Sequence, residues 1–352
     1  MHGPTDAASP VRADAGHDVV TTGRRDRPTR RPMSHGRRHR PVGDEGPAAA
    51  VEPGTVEAPP ADHGAASGPS AGAVLAAVLE REAERFLRHA DALGGGPPAA
   101  LTIRDVHQAR VALRRLRSNL RTFGLLVDPQ WSATVRADAA WFGGVLGYVR
   151  NCDVLADRLW AEGPVLSDED SVRAVLGVLA VEAAAARQAV VEASRSERGE
   201  RLAATLRAVG DLPLTDRADQ SAEALEGLLG RAWHDFRNAG RPVRHHPTER
   251  SLHQLRLRTK AFRYGCETVA VVAGKPAERT ARAAARLQDR LGLLRDAAAA
   301  DAWLATAAGA HPELAATAER LAVVERAAAA VDRRGVGRDL REVERRWRRW
   351  RG

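Results

Sequence analysis

The chain has 352 residues, long enough for two ordinary domains or one large one, with 54 basic residues against 45 acidic ones and a formal charge of +9 at pH 7. Only Lys260 and Lys275 are lysines; so strong an arginine bias arises from a GC-rich genome as readily as from anion binding, and net charge alone assigns no partner. Two cysteines, Cys152 and Cys266, exclude a disulfide framework and a four-thiolate zinc site, and a reducing, intracellular setting is expected.

Residues 1–70 are crowded with Pro, Gly, Ser, Arg and Asp. They hold almost no bulky apolar side chain to offset the entropy of ordering, so a disordered tail is expected. Over residues 1–70 nine Arg and nine acidic residues cancel, with a basic block from Arg24 to Arg40 and an acidic linker from Asp44 to Asp62, which leaves the net charge on the folded part. From Ser70 the pattern turns helical and stays so. Thr102 to Asp105 and Ser167 to Asp170 have the form of capping boxes with Asp in the closing position, and Asp128-Pro129 offers an N-cap followed by proline at the first helical position. Breakers at Gly94 to Pro98, Gly163-Pro164, Gly210 to Pro213, Gly240 to Pro247, Gly274 to Pro276 and His311-Pro312 divide the chain into about eight amphipathic segments of helical period. No segment shows the alternation of a half-buried strand, and the expected class is all-α. No apolar run approaches the roughly 18 to 20 residues of a membrane span, and no short apolar core marks a signal peptide. A soluble, cytoplasmic protein with no membrane partner is expected.

The segment Val106 to Arg117 recurs as Leu252 to Arg263, at an offset of about 146 residues. His107, Arg110, Arg114 and Arg117 map onto His253, Arg256, Lys260 and Arg263. Further on, Leu146-Gly147 with Arg150-Asn151 recurs as Leu291-Gly292 with Arg295-Asp296, at an offset of about 145. Two segments repeating in one order imply an internal duplication, with halves of about 71–209 and 216–352, each a helical bundle.

On a helix, the four cationic positions of the first segment fall within an arc of roughly 80° that runs ~15 Å along the axis. Val106, Leu113, Leu116, Leu120 and Phe123 occupy the adjoining arc, so the basic stripe borders the core seam. Arg115 falls off the stripe and is expected in solvent. Stacked like charges cost a helix a few tenths of a kcal/mol per pair. Held twice in the same phase, they suit an anion, since guanidinium forks meet phosphate oxygens bidentately.

The pattern His-x-x-Arg-Val-x-x-Arg-Arg-x-Arg from His107, together with Leu-His-x-x-Arg-x-x-x-Lys-x-x-Arg-Tyr-x-x-Glu over Leu252 to Glu267 and a Leu-Gly-x-x-Arg-Asn/Asp element after each, resembles the CHAD family, the conserved histidine α-helical domain. The resemblance covers about residues 71–352. It implies two antiparallel four-helix bundles related by a pseudo-twofold, around a basic channel that binds inorganic polyphosphate. Carried over position by position, the channel set is His107, Arg110, Arg114, Arg117, His253, Arg256, Lys260 and Arg263, with Arg150 and Arg295 beside it. Asn151 stands where Asp is commoner, which removes an acidic partner for Arg150.

His107 and His253 each stand alone on their segment, without His-Glu-x-x-His or Cys-x-x-Cys, so no metal is expected. Gly274-Lys275 runs into Pro276 and lacks the upstream glycine of a phosphate-cradling loop. The Glu-x-Glu-x-Lys hallmark of the triphosphate tunnel domains fused to some CHAD proteins cannot be formed around either lysine. A binding module without catalysis or cofactor is expected, concentrated where polyphosphate forms granules. The rival is a nucleic-acid-binding protein using the basic tail block and the C-terminal run Arg341 to Arg351, in which Trp347 and Trp350 interleave with cations; a third reading sets the stripe against an acidic protein.

Overall fold

The computed structural model describes residues 68–166 and 169–352, and the expected tail up to residue 67 lies outside them, as does Ser167 of the second expected capping box. The described residues form nine α-helices: α1 (Ala71–Gly95), α2 (Ile103–Thr122), α3 (Pro129–Leu166), α4 (Glu169–Arg195), α5 (Glu197–Arg207), α6 (Ala224–His245), α7 (Glu249–Ala273), α8 (Lys275–Ala310) and α9 (Ala315–Arg351). Among the described residues no strand joins them, and the class is all-α.

The capping signals act where the residues place them. Ser70 accepts from the Ala73 amide at 3.2 Å, Thr102 from that of Asp105 at 3.1 Å, and Asp128 from that of Trp131 at 2.7 Å, each satisfying a donor that a helix start leaves open. Two expected breaks hold but fall a few residues after the first glycine or proline that signals them. Helix α3 runs through Gly163-Pro164 to Leu166, and α6 runs through Gly240 and Pro242 to His245. In α6 the cost of an internal proline is offset by packing. A Cβ on Gly240 would lie 3.1 Å from Leu340 of α9, so glycine lets the two helices close, while Val243 is buried and Pro242 stays exposed in the last turn.

Helix α1 packs on α2, α2 on α3 and α3 on α4; α6 packs on α7, α7 on α8 and α8 on α9, with α1 also meeting α4 and α6 meeting α9. The order of contacts among α1 to α4 recurs among α6 to α9. The core itself is not split between the halves. Helices α2 and α7 pack face to face, with a buried hydrogen bond from Thr268 to Asn119 at 3.0 Å, and one apolar cluster runs from Leu75 through Leu116 and Phe262 to Trp347. A second, distal cluster is also shared. It joins Leu155, Leu159 and Val175 from the α3–α4 pair to Leu304 and Leu321 from the α8–α9 pair.

One helix corrects the reading of hydropathy. Over 18 residues α4 reaches a mean hydropathy of 1.6, enough in length and composition for a membrane span. Alanine makes up much of that window. Its Val172, Val175, Leu179 and Val190 are buried in the bundle and Arg187 pairs with buried Asp153 of α3 at 2.6 Å, so one face of α4 packs on its neighbours, while only 28% of that window is buried.

Candidate anion-binding site

Both stripes lie where their helical phase puts them, at the edge of the core. Arg110, Arg114 and Arg117 of α2 are half-buried, while Arg256 and Arg263 of α7 are only 7% and 4% exposed. His107 and Lys260 are half-buried and His253 is exposed.

Where α2 crosses α7 the two stripes meet on one aromatic ring. Tyr264 is buried; its hydroxyl accepts from Arg114 Nε at 2.8 Å, and the guanidinium carbons of Arg114, Arg115 and Arg263 stand 5.9, 5.0 and 5.5 Å from its ring centre. An aromatic face tolerates stacked guanidinium groups through its quadrupole. Glu267 completes the arrangement, accepting from Arg263 at 2.8 Å and pairing with Arg115 at 2.9 Å.

Arg115 is therefore not a solvated residue, and that expectation is corrected. It also reaches Glu82 of α1 at 3.7 Å, so one guanidinium ties three helices together. Burial alone would pull its pKa down, but the Glu267 and Glu82 carboxylates more than reverse this. The wheel position that takes Arg115 off the stripe turns it toward α1 and Tyr264.

The Leu-Gly element has a steric reason, the same in each half. A Cβ on Gly147 of α3 would press on Arg110 Nε at 3.3 Å, and one on Gly292 of α8 would touch Arg256 at 3.9 Å. Each glycine gives the first arginine of the neighbouring stripe room to lie against the next helix. The residues after it meet across the halves. Arg295 donates to Asn151 at 3.1 Å and to Asp296 at 3.2 Å, so Asn151 serves the arginine of the other repeat. Arg150, beside Asn151, is buried, and its Nε has no hydrogen-bond partner among the described residues.

One open cleft of about 700 Å³ lies between α7, α8 and α9, and His253, Arg256 and Arg295 line it together. The other expected positions, His107, Arg110, Arg114, Arg117, Arg150, Lys260 and Arg263, are not on its wall. Arg117 lies instead beside Arg121 and Arg136; burial first, then these two cations, push its pKa down. Such a cluster gains from a bound anion. Arg326, Arg333 and Arg334 of α9 also line the cleft, and nothing in so arginine-rich a helix singled them out in the sequence. Tyr264 and Glu267 belong to the quoted motif, yet only the crossing of α2 and α7 shows their part.

Neither cysteine has the environment of a nucleophile. Burial first, with Glu182 and Asp153 nearby, pushes the Cys152 thiol up to about 11, and burial drives Cys266 well above its ordinary value. At the C-terminus Trp347 is buried, stacked on Trp233 with ring centres 4.9 Å apart and set edge-on to Phe262 at 5.3 Å. It seals the end of the α6–α9 packing and offers no free face on which a base could stack.

Helices with paired arginine stripes at the edge of their core define an all-α protein with a candidate anion site. The profile of the CHAD domain family matches residues 98–305, more than half of the chain, and the protein belongs to that family. Its fold is similar to that of PptA from Streptomyces chartreusis, with a TM-score of 0.60 and 22% identity over 80% of this chain and 100% of that one. It is likewise similar to the CHAD domain from the plant Ricinus communis, with a TM-score of 0.62 and 24% identity over 81% of this chain and 97% of that one. No curated protein matches the sequence.

Proposed function

We propose that the protein binds inorganic polyphosphate without transforming it, in the cytoplasm and at polyphosphate granules. One observation carries this reading. His253 and Arg256 of α7 and Arg295 of α8, drawn from both duplicated elements, face a single open cleft. Guanidinium forks pair with phosphate oxygens bidentately, and a neutral imidazole donates one hydrogen bond to them or becomes a further cation on protonation. Membership of the CHAD family supports the reading, because the motif residues match those that resemblance assigns to a polyphosphate channel.

Competition of long-chain polyphosphate against DNA and RNA at physiological salt tests it, with polyphosphate expected to displace both. Log affinity should fall steeply with log salt as condensed counterions are released. Arg256→Ala and Arg295→Ala, both on the cleft wall, are each expected to lower affinity about 10-fold and to flatten that slope, with the helical circular dichroism unchanged. Preferential retention of nucleic acid by the wild type would sink the reading. A second expectation is that incubation of the purified protein with polyphosphate or nucleoside triphosphates releases no phosphate. Steady release that an Arg256→Ala preparation lacks would make it an enzyme.

A further inference from the structure

The cleft between α7, α8 and α9 extends beyond the duplicated motif. Its volume of about 700 Å³ is within the ~300–1,000 Å³ usual for ligand sites. One wall carries Arg256 and Arg295; the facing wall is α9, with Arg326, Arg333 and Arg334. Arg326 is engaged by Asp301 and Glu319, each at 2.6 Å, and Glu325 at the cleft wall is engaged by Arg158. Arg333 and Arg334 are exposed, and among the described residues no ion pair takes either of them. Glu249, at the start of α7, is the opposing charge that remains on the wall.

The duplication indicates why Arg333 stands without a carboxylate. An offset of about 146 sets the buried residues Val172, Val175 and Val190 of α4 on the buried Ala318, Leu321 and Val336 of α9, and it sets Arg187 on Arg333. In the first half Arg187 donates to the buried Asp153 at 2.6 Å. The offset of about 145 that aligns Leu146-Gly147 with Leu291-Gly292 places Ala298 where Asp153 would be. Ala298 and Arg333 both line the cleft. The first half neutralises this arginine internally, whereas the second half turns it, with Arg334 beside it, toward an open space already walled by Arg256 and Arg295.

We infer that Arg333 and Arg334 form a second phosphate-binding wall, so that a polyphosphate chain lying on Arg256 and Arg295 is gripped from the α9 side as well. The site is thereby asymmetric: the second repeat holds the chain on two faces, and the first has no counterpart because Asp153 occupies Arg187. This assignment rests on the polyphosphate reading and adds binding residues outside the repeated motif.

The full chain is titrated with long-chain polyphosphate over a series of salt concentrations, as wild type, as Arg333→Ala with Arg334→Ala, and as Ala298→Asp. The double variant is expected to lose about 10-fold or more in affinity and to flatten the salt slope by about 0.7 for each phosphate it no longer neutralises. Ala298 is exposed, so an aspartate fits there without repacking; it should capture Arg333 as Asp153 captures Arg187 and reproduce part of the defect with helicity intact. Unchanged affinity and slope in both variants, beside a wild type that binds and an Arg256→Ala protein that binds about 10-fold more weakly, would overturn the α9 wall and leave the polyphosphate reading standing. A wild type that fails to bind polyphosphate overturns both.

Discussion

Replacing Arg115 with alanine is expected to lower the unfolding free energy by about 2–4 kcal/mol, a little under the ~3–5 that breaking a buried ion pair usually costs. The side chain is 19% exposed and pairs with Glu82, which is 1% exposed, and with Glu267. Removing the cation leaves the Glu82 carboxylate desolvated between α1 and α2 with only Arg85, at 3.2 Å, to compensate it. Glu267 keeps Arg263, which is why the loss falls short of that for a fully orphaned pair. The stack on Tyr264 goes as well. Arg115→Lys retains the charge but not the planar fork or the stack, and should fall between the two. Combining Arg115→Ala with Glu82→Leu should recover part of the stability, because an apolar side chain replaces the unmatched carboxylate. Denaturant unfolding of the four proteins checks this; an Arg115→Ala midpoint indistinguishable from wild type would show that the three-helix tie carries no stability.

Arg115 also shows how far a single sequence carries. The helical wheel places each residue on its own helix, and it set the apolar seam and the cations that border it because both are properties of one helix. Its partners are not. Whether an off-stripe arginine meets water or Glu82 and Glu267 depends on how α1 and α7 sit against α2, and that arrangement is set by packing of distant segments. Asn151 was legible only as a missing acid for Arg150; its acceptor role toward Arg295 exists because the two Leu-Gly elements, far apart in the chain, face each other. The Leu-Gly element itself was visible as a repeat, while its cause, room for Arg110 and Arg256, is a contact between neighbouring helices.

Two chain breakers take effect late for a related reason. Gly240 and Pro242 weaken a helix taken alone, yet Gly240 lets Leu340 of α9 approach and Val243 is buried, so tertiary packing keeps α6 continuous. The division of the core was likewise out of reach. Periodicity marks which face is apolar and not which face it meets, so a core continuous through α2 and α7, with a distal cluster drawn from both halves, follows only from the assembled helices.

That distal region supports the last prediction, a stability that declines as pH rises from mildly acid to mildly alkaline. Glu325 of α9 is fully buried, with Arg158 of α3 donating to it from Nε at 2.8 Å and from a second guanidinium nitrogen. Glu162 of α3, 8% exposed, lies beside the same carboxylate. Burial first, and the Glu325 charge second, raise Glu162 from an ordinary value of 4.5 to about 8. The folded protein therefore keeps a proton on Glu162 that the unfolded chain releases. Because the native state binds more protons between the two values, the contribution is fully present below about pH 4.5 and is lost as pH climbs toward about 8. At ~1.4 kcal/mol for each tenfold difference in proton affinity between the folded and unfolded chains, the change across that window is on the order of a few kcal/mol. Glu162→Gln supplies an amide donor to Glu325 at every pH, so it should remove this part of the slope and raise the unfolding midpoint above that of wild type at pH ~8.5 while differing little at pH ~5. Thermal unfolding of both proteins across this range is the measurement. Parallel profiles for wild type and Glu162→Gln would mean that no proton is held between α3 and α9.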